Sequence, residues 1–485
     1  MRFNFLQIIR LLGLLILFNG CFMATCIPFS IYYEESSWRP ILTSAIICII
    51  TGLIIWFTFK ASEDAELKKR DGYLIVTFGW LAMSLTGSLP YVFSGAIPHY
   101  ADAFFETISG YTTTGASILT DIESLPKGIL FWRSLTQWIG GMGIIVLAVA
   151  ILPFLGIGGM QLFVAEAPGI SPDKLRPRIR ETAIRLWMIY LILTSTELVL
   201  LLLGGMSFYD AINHSLTTMA TGGFSTKNAS IAHFSNPFIH YVIIIFMFLA
   251  GTNFTLTYFG LHGNLKKIWR NEEFRFYFIF TLIFGVIIAL AIKGYTTEGF
   301  ESSFRGSLFT VVSIVSTTGY VTIDYTGLKP LITVVFFMLM FIGASSGSTA
   351  GGVKVIRHVI LVKNSLLELQ RLLHPNAVLP VRINNRAVTK DITFNVLAFM
   401  IIYFMIFALG SVIMSLIGVD FVTALGSVAT SVGNIGPGIG SVGPVNNFAH
   451  IPYLGKWFLS FLMLLGRLEL FTVLILFTPY FWRKF

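Results

Sequence analysis

Ten apolar runs dominate this chain, each long enough to need the interior of a lipid bilayer. They fall at roughly 5–33, 40–60, 72–96, 127–155, 183–206, 236–261, 274–293, 330–361, 392–418 and 452–482. A membrane-spanning helix needs about 20 predominantly apolar residues. Inside lipid every backbone N–H and C=O must be satisfied within the protein, which leaves helices or closed barrels. The runs lack the alternation of about ten residues per strand that a barrel shows, so the sequence predicts an all-α integral membrane protein. At 55% hydrophobic and 12% charged residues, the chain is too apolar for a soluble protein of 485 residues. The first run carries Arg2 and Arg10 but no small-residue cleavage site, and a second span follows at once. It therefore reads as a retained helix. Cys21, Cys26 and Cys48 fall in these first two runs and form neither a disulfide framework nor a zinc pattern.

Charge sets the expected orientation, because cytoplasmic segments collect Lys and Arg. With the N-terminus inside, the inner segments hold 24 Lys/Arg against 11 Asp/Glu, a net of +13. The outer segments hold eight against ten, a net of −2. This asymmetry accounts for the overall +9, so no nucleic-acid partner is needed to explain it. Both termini are expected in the cytoplasm. The basic inner face also suits anionic lipid, and the basic segments 160–182 and 354–390 are candidate docking surfaces for a cytosolic partner.

Four shorter segments between the spans end in a tetrad of small residues. The tetrads are Thr112-Thr113-Thr114-Gly115, Ala220-Thr221-Gly222-Gly223, Ser316-Thr317-Thr318-Gly319 and Thr430-Ser431-Val432-Gly433. Asp102, Asp210 and Asp420 each stand thirteen residues before the last glycine; Gly306 holds that place in the third segment. A helix from Asp102 to Thr114 would be about 18 Å long, roughly half a hydrocarbon core, as a re-entrant helix requires. The assumed topology puts every tetrad on the outer side. Each helix then points its partly negative C-terminal end at the membrane centre, where it favours a cation. The aspartates suit the exposed helix starts as caps. Glycine permits positive φ, so successive carbonyls can face one axis, and a ring of carbonyl oxygens can replace the hydration shell of a small cation. The plainer reading is that small residues let membrane helices pack closely. It explains any single tetrad, but not four placed alike before four spans.

The organisation expected is two leading helices (1–71) followed by four helix–pore-loop–helix repeats with pseudo-fourfold symmetry, at 72–174, 175–271, 272–389 and 390–485. The eighth run is broken by Gly343-Ala344-Ser345-Ser346-Gly347-Ser348-Thr349-Ala350-Gly351-Gly352, where a helix would be weak. Non-helical backbone at membrane depth is tolerated where it lines a cavity or is buried in protein, so this stretch reads either as a movable gate below the third loop or as a packed kink. It lacks the Gly-Lys-Ser/Thr ending of a phosphate loop, because Val353 follows Gly352. Arg467 lies within the last run, where a charge costs roughly 2.5–3.5 kcal/mol on insertion scales. It is read as an electrostatic barrier in a cavity under the loops, the alternative being a structural pairing with Glu469 or with backbone carbonyls. The eight histidines are scattered with no metal-ligand spacing, and no nucleophile elbow appears in a strand–helix context. No enzyme and no cofactor are expected.

Three stretches resemble the TrkH/KtrB/HKT superfamily of potassium transporters, TrkH-type members above all. They are Phe104 to Ser117 (FFETISGYTTTGAS), Trp132 to Gly143 (WRSLTQWIGGMG) and Gly343 to Lys354 (GASSGSTAGGVK). The resemblance covers essentially the whole chain, the two leading helices included. It implies potassium uptake across a bacterial inner membrane, potassium as the permeant ligand, a homodimer, and a cytosolic TrkA-type regulatory subunit with nucleotide-binding domains. It also implies that Gly115, Gly223, Gly319 and Gly433 are filter glycines, that 343–352 is the gate, and that the fourth loop departs from the pattern at Val432. A symporter coupled to sodium or protons remains the alternative that the residues leave open.

Overall fold

The computed structural model describes residues 3–59, 69–146, 179–293 and 299–483. The end of the fourth run beyond Val146 and most of the basic 160–182 segment lie outside them. Among the described residues the regular structure is helical apart from one small hairpin, in which Arg382–Ile383 pairs antiparallel with Arg386–Ala387. Asn384 and Asn385 make its turn at φ 47° and 64°, the left-handed pair that a tight hairpin wants.

Among the described residues six helices are long and apolar enough to cross a membrane: Phe5–Tyr32, Trp38–Thr58, Arg70–Phe93, Ile184–Leu203, Glu272–Ile292 and Lys390–Leu416. Two further runs are not the single straight helices their hydropathy suggests. Pro237–Ala250 and Phe254–Leu261 meet at 114°, and Tyr453–Arg467 and Phe471–Phe477 at 112°. The first bend is capped by Asn253, whose side chain accepts from Thr255 N. The second passes through Glu469 and Leu470, both at positive φ. The 330–361 run is likewise no continuous helix: Pro330–Leu339 and Val355–Leu373 flank an irregular stretch. The two leading helices pack on each other through small residues, with Gly13, Gly20 and Gly52 set so closely that a Cβ on any of them would meet the opposite helix.

Four short helices, Tyr100–Tyr111, Phe208–Met219, Phe300–Val315 and Phe421–Gly433, lie between these longer ones and are almost wholly buried towards their C-terminal ends. Their starts are built differently. Asp420 is a true cap and accepts from Thr423 N. In the second helix Ser207 is the cap, and Asp210 sits inside the first turn, accepting from Ser207 Oγ at 2.8 Å. Asp102 also lies inside its first turn and takes Lys456 Nζ at 2.6 Å. The common role expected for the three aspartates therefore holds only for Asp420.

Candidate functional site

Each short helix ends in the same backbone device. One or two residues past the helix end the chain takes a left-handed conformation: Thr113 (φ 51°), Thr221 (53°), Thr317 (59°) and Asn434 (53°). Hydrogen bonds then close back onto the last turn, Thr114 N to Ser109 O, Gly222 N to Thr217 O, Thr318 N to Ser313 O and Ile435 N to Thr430 O, between 2.9 and 3.1 Å. This is the double turn that commonly ends helices, normally with glycine at the left-handed place. A β-branched residue there is an outlier, and such strain of about 1–3 kcal/mol concentrates where surrounding structure imposes it. All four residues are fully buried. Two positions further on, each chain reaches a positive-φ glycine: Gly115, Gly223, Gly319 and Gly436.

The equivalence corrects the sequence reading of the fourth loop. Gly433 is the last residue of its helix, and Ser431 and Val432 lie in the helix's final turn. The counterparts of Thr113-Thr114-Gly115 are Asn434-Ile435-Gly436, three residues later. Asparagine tolerates the left-handed region because its short amide bonds locally, and here it does more. Its Nδ2 donates to Thr114 Oγ1 and to Met463 O, both at 2.9 Å.

The four loops close on one another in a ring. A Cβ placed on Gly115 would collide with the carbonyl oxygen of Gly222, one on Gly223 with that of Thr318, and one on Gly319 with that of Ile435. One on Gly436 would lie 2.9 Å from the Thr114 oxygen. The oxygen involved is in every case that of the residue just before a loop glycine, so loop one faces two, two faces three, three faces four and four faces one. Nine of the twelve residues expected at the filter, Thr113 to Gly115, Thr221 to Gly223 and Thr317 to Gly319, are thus brought together. Buried oxygens without a hydrogen-bond partner include Thr113 Oγ1, Ser431 Oγ and Asn434 Oδ1, and hydroxyl pairs at 2.8 Å link Thr112 with Thr114 and Ser316 with Thr318.

Flanking helices hold the ring from behind. Gln137 Nε2 donates to Gly222 O at 2.6 Å, and its Oε1 accepts from Phe224 N. Gly140 lies against Tyr111 O, and Gly466 against Val432 O, each too close for a side chain. Glu106 accepts from Arg133 Nε at 2.7 Å, from Ile118 N and from Ser117 Oγ. Arg133 also donates to Ser225 O and lies 3.5 Å over the Phe224 ring. Glu106 thus clamps the chain that leaves the first loop. In the second loop His214 bonds Ser225 Oγ from the corresponding place.

The stretch Gly343–Gly352 lies directly against the ring. Gly351 N donates to Thr317 Oγ1 at 2.7 Å, and Thr349 Oγ1 to Met219 O at 3.0 Å. A Cβ on Gly351 would fall 2.8 Å from Gly433 O. Arg467 is buried and donates from Nη1 to Thr349 O at 2.8 Å and from Nη2 to Gly140 O at 3.3 Å. It does not pair with Glu469, whose carboxylate takes Arg357 Nη2 at 2.8 Å. Among the described residues no cluster of His, Cys, Asp or Glu is arranged to hold a metal ion.

A multi-pass helical chain with four buried helix ends closed into a ring defines a membrane transport protein. The TrkH cation transport protein family matches residues 39–484, and the chain belongs to it; this is a transporter family, not an enzyme family. The Trk system potassium uptake protein TrkH of Salmonella typhimurium is 42% identical over 99% of this chain and 100% of its own. The Trk system potassium uptake protein TrkG of Escherichia coli is 35% identical over 94% of each. The crystal structure of the potassium transporter TrkH from Vibrio parahaemolyticus superposes with a TM-score of 0.90 at 37% identity, covering 99% of this chain and 100% of that one.

Proposed function

We propose that this chain takes up potassium across a bacterial inner membrane through a central, channel-like pore whose filter is the ring of loop oxygens. The observation that carries the reading is the closed cycle in which the oxygens of Thr114, Gly222, Thr318 and Ile435 each abut the glycine of a neighbouring loop. Carbonyl and hydroxyl oxygens suit a hard cation, and helix C-termini add partial negative charge around it. In this reading the filter comprises Thr113–Gly115, Thr221–Gly223, Thr317–Gly319 and Asn434–Gly436. The ten expected crossings and four pseudo-symmetric repeats are the frame that would present them.

The stretch Gly343–Gly352 acts as the gate, because it is seated on three of the four loop ends. Arg467 stands beneath as the barrier, its guanidinium tied to the gate carbonyl of Thr349. Cytoplasmic termini follow from the charge asymmetry. A homodimer and a cytosolic TrkA-type regulatory subunit are proposed from the family resemblance, with the basic 354–390 segment as a docking face.

Gly223→Ser and Gly319→Ser test the filter, since each must move a neighbouring carbonyl and adopt an unfavourable φ. Rubidium flux into proteoliposomes under sodium competition is expected to lose discrimination in both; unchanged discrimination in both removes the filter assignment. A reversal potential that follows the potassium gradient alone supports a pore, and one displaced by sodium or protons supports symport.

A further inference from the structure

At the start of one long helix, a buried carboxyl group grips the gate stretch itself. Glu273 is the second residue of the helix Glu272–Ile292 and is only 1% exposed. Its Oε1 accepts from Ser346 N at 2.7 Å, and its Oε2 lies 3.4 Å from Ser346 Oγ. Val355 N, at the start of the following helix, donates to Ala344 O at 2.9 Å, and further ties on this half of the stretch come from the bend after Ala250. Ser345 N donates to Gly251 O, Asn253 Nδ2 to Ser346 O and Phe254 N to Gly347 O. Glu273 thus bonds the stretch through an ionisable side chain, and it approaches from a different helix than the ties of the bend.

The residue beside it reaches the other way. Glu272 pairs with Lys363, on the helix that follows the gate stretch. Its backbone N–H donates to Asn384 Oδ1 in the hairpin turn at 2.8 Å, and Lys363 donates to Arg382 O at 2.8 Å. Adjacent carboxylates therefore connect the hairpin and the helix Val355–Leu373 to the gate stretch across one peptide unit.

We propose that Glu273 is a positioning residue that keeps the gate stretch seated under the ring, and that displacement of the hairpin or of the helix Val355–Leu373 unseats it through Glu272. This rests on the gate reading above. A buried N–H left without its acceptor is costly, so removing this hydrogen bond shifts the stretch towards its unseated position.

The test is rubidium uptake by the full-length chain in proteoliposomes with no partner present. Glu273→Ala is expected to raise basal uptake about tenfold, the change that 1.4 kcal/mol makes in an equilibrium, with potassium over sodium preference unaltered. Glu273→Gln keeps an acceptor oxygen and gives a smaller rise. Ser346→Pro removes the N–H that Glu273 holds; it matches Glu273→Ala, and the two together add nothing further. A chain shortened by residues 346–350 separates the ideas: its uptake is high, and Glu273→Ala has no effect in it, whereas a merely structural role would lower uptake in both backgrounds. Unchanged or reduced uptake in Glu273→Gln and Ser346→Pro, with high uptake in the shortened chain, overturns the role of Glu273 and leaves the gate standing. Low uptake in the shortened chain overturns both.

Discussion

The first three loops and the fourth reach one backbone geometry from different residues. In the first three a threonine occupies the left-handed place, and its β-carbon is branched where glycine would be relaxed. In the fourth an asparagine does so and spends its amide on a bridge to Thr114 in the first loop and to Met463 in the last long helix. The fourth loop is therefore fastened by side chain across the ring. The second leans instead on Gln137, and the third is tied by the backbone of the stretch Gly343–Gly352. What the four share is the sign of φ at two positions and the contact between a carbonyl and the next glycine. Side-chain identity is free to differ so long as those are kept.

The largest contrast can be forced nine residues before each loop glycine, where the first loop has Glu106 and the fourth Ser427. Glu106→Ala strands a buried arginine and is expected to destabilise the protein by about 3–5 kcal/mol. Ser427→Ala removes only a hydroxyl bond to Ala424 O, with an expected cost of about 1 kcal/mol. Thermal unfolding in detergent compares the two, and equal losses would mean that the ion pair does not anchor the first loop. Next in size is the register of the fourth loop. Gly436→Ser is expected to cut potassium over sodium discrimination about tenfold, on the basis of ~1–3 kcal/mol of backbone strain at positive φ. Gly433→Ser, at a helical residue, is expected to have a much smaller effect; the reverse order in rubidium flux would restore Gly433 to the ring. The smallest effect separates threonine from asparagine. Thr113→Gly relieves a left-handed side chain and is expected to stabilise by up to about 1 kcal/mol, whereas Asn434→Gly loses two hydrogen bonds and is expected to destabilise by about 1–2 kcal/mol.

Much of this was legible in the sequence because the signals are local. Three loops announce themselves by a threonine two residues before a glycine that needs positive φ, after a helix-length segment. The fourth was misplaced by three residues because Val432-Gly433 imitates the end of the other tetrads. The better clue was Asn434 followed two residues later by Gly436, since asparagine is the side chain that most readily takes the left-handed place after glycine. The bends after Ala250 and after Arg467 were not legible, because summed hydropathy is blind to direction and neither bend contains proline. Glu273 carries no local signal that sets it apart from its neighbour Glu272. Its importance comes from a contact with Ser346, 73 residues away, which no local pattern encodes.

That each corner of the ring is written separately in one polypeptide has a consequence for how it can change. In an assembly of four identical subunits every replacement arrives fourfold, and a residue that disturbs one quadrant disturbs all. Here a substitution enters a single quadrant, next to three unaltered ones. Asymmetry can accumulate one corner at a time, as the asparagine in place of threonine already illustrates.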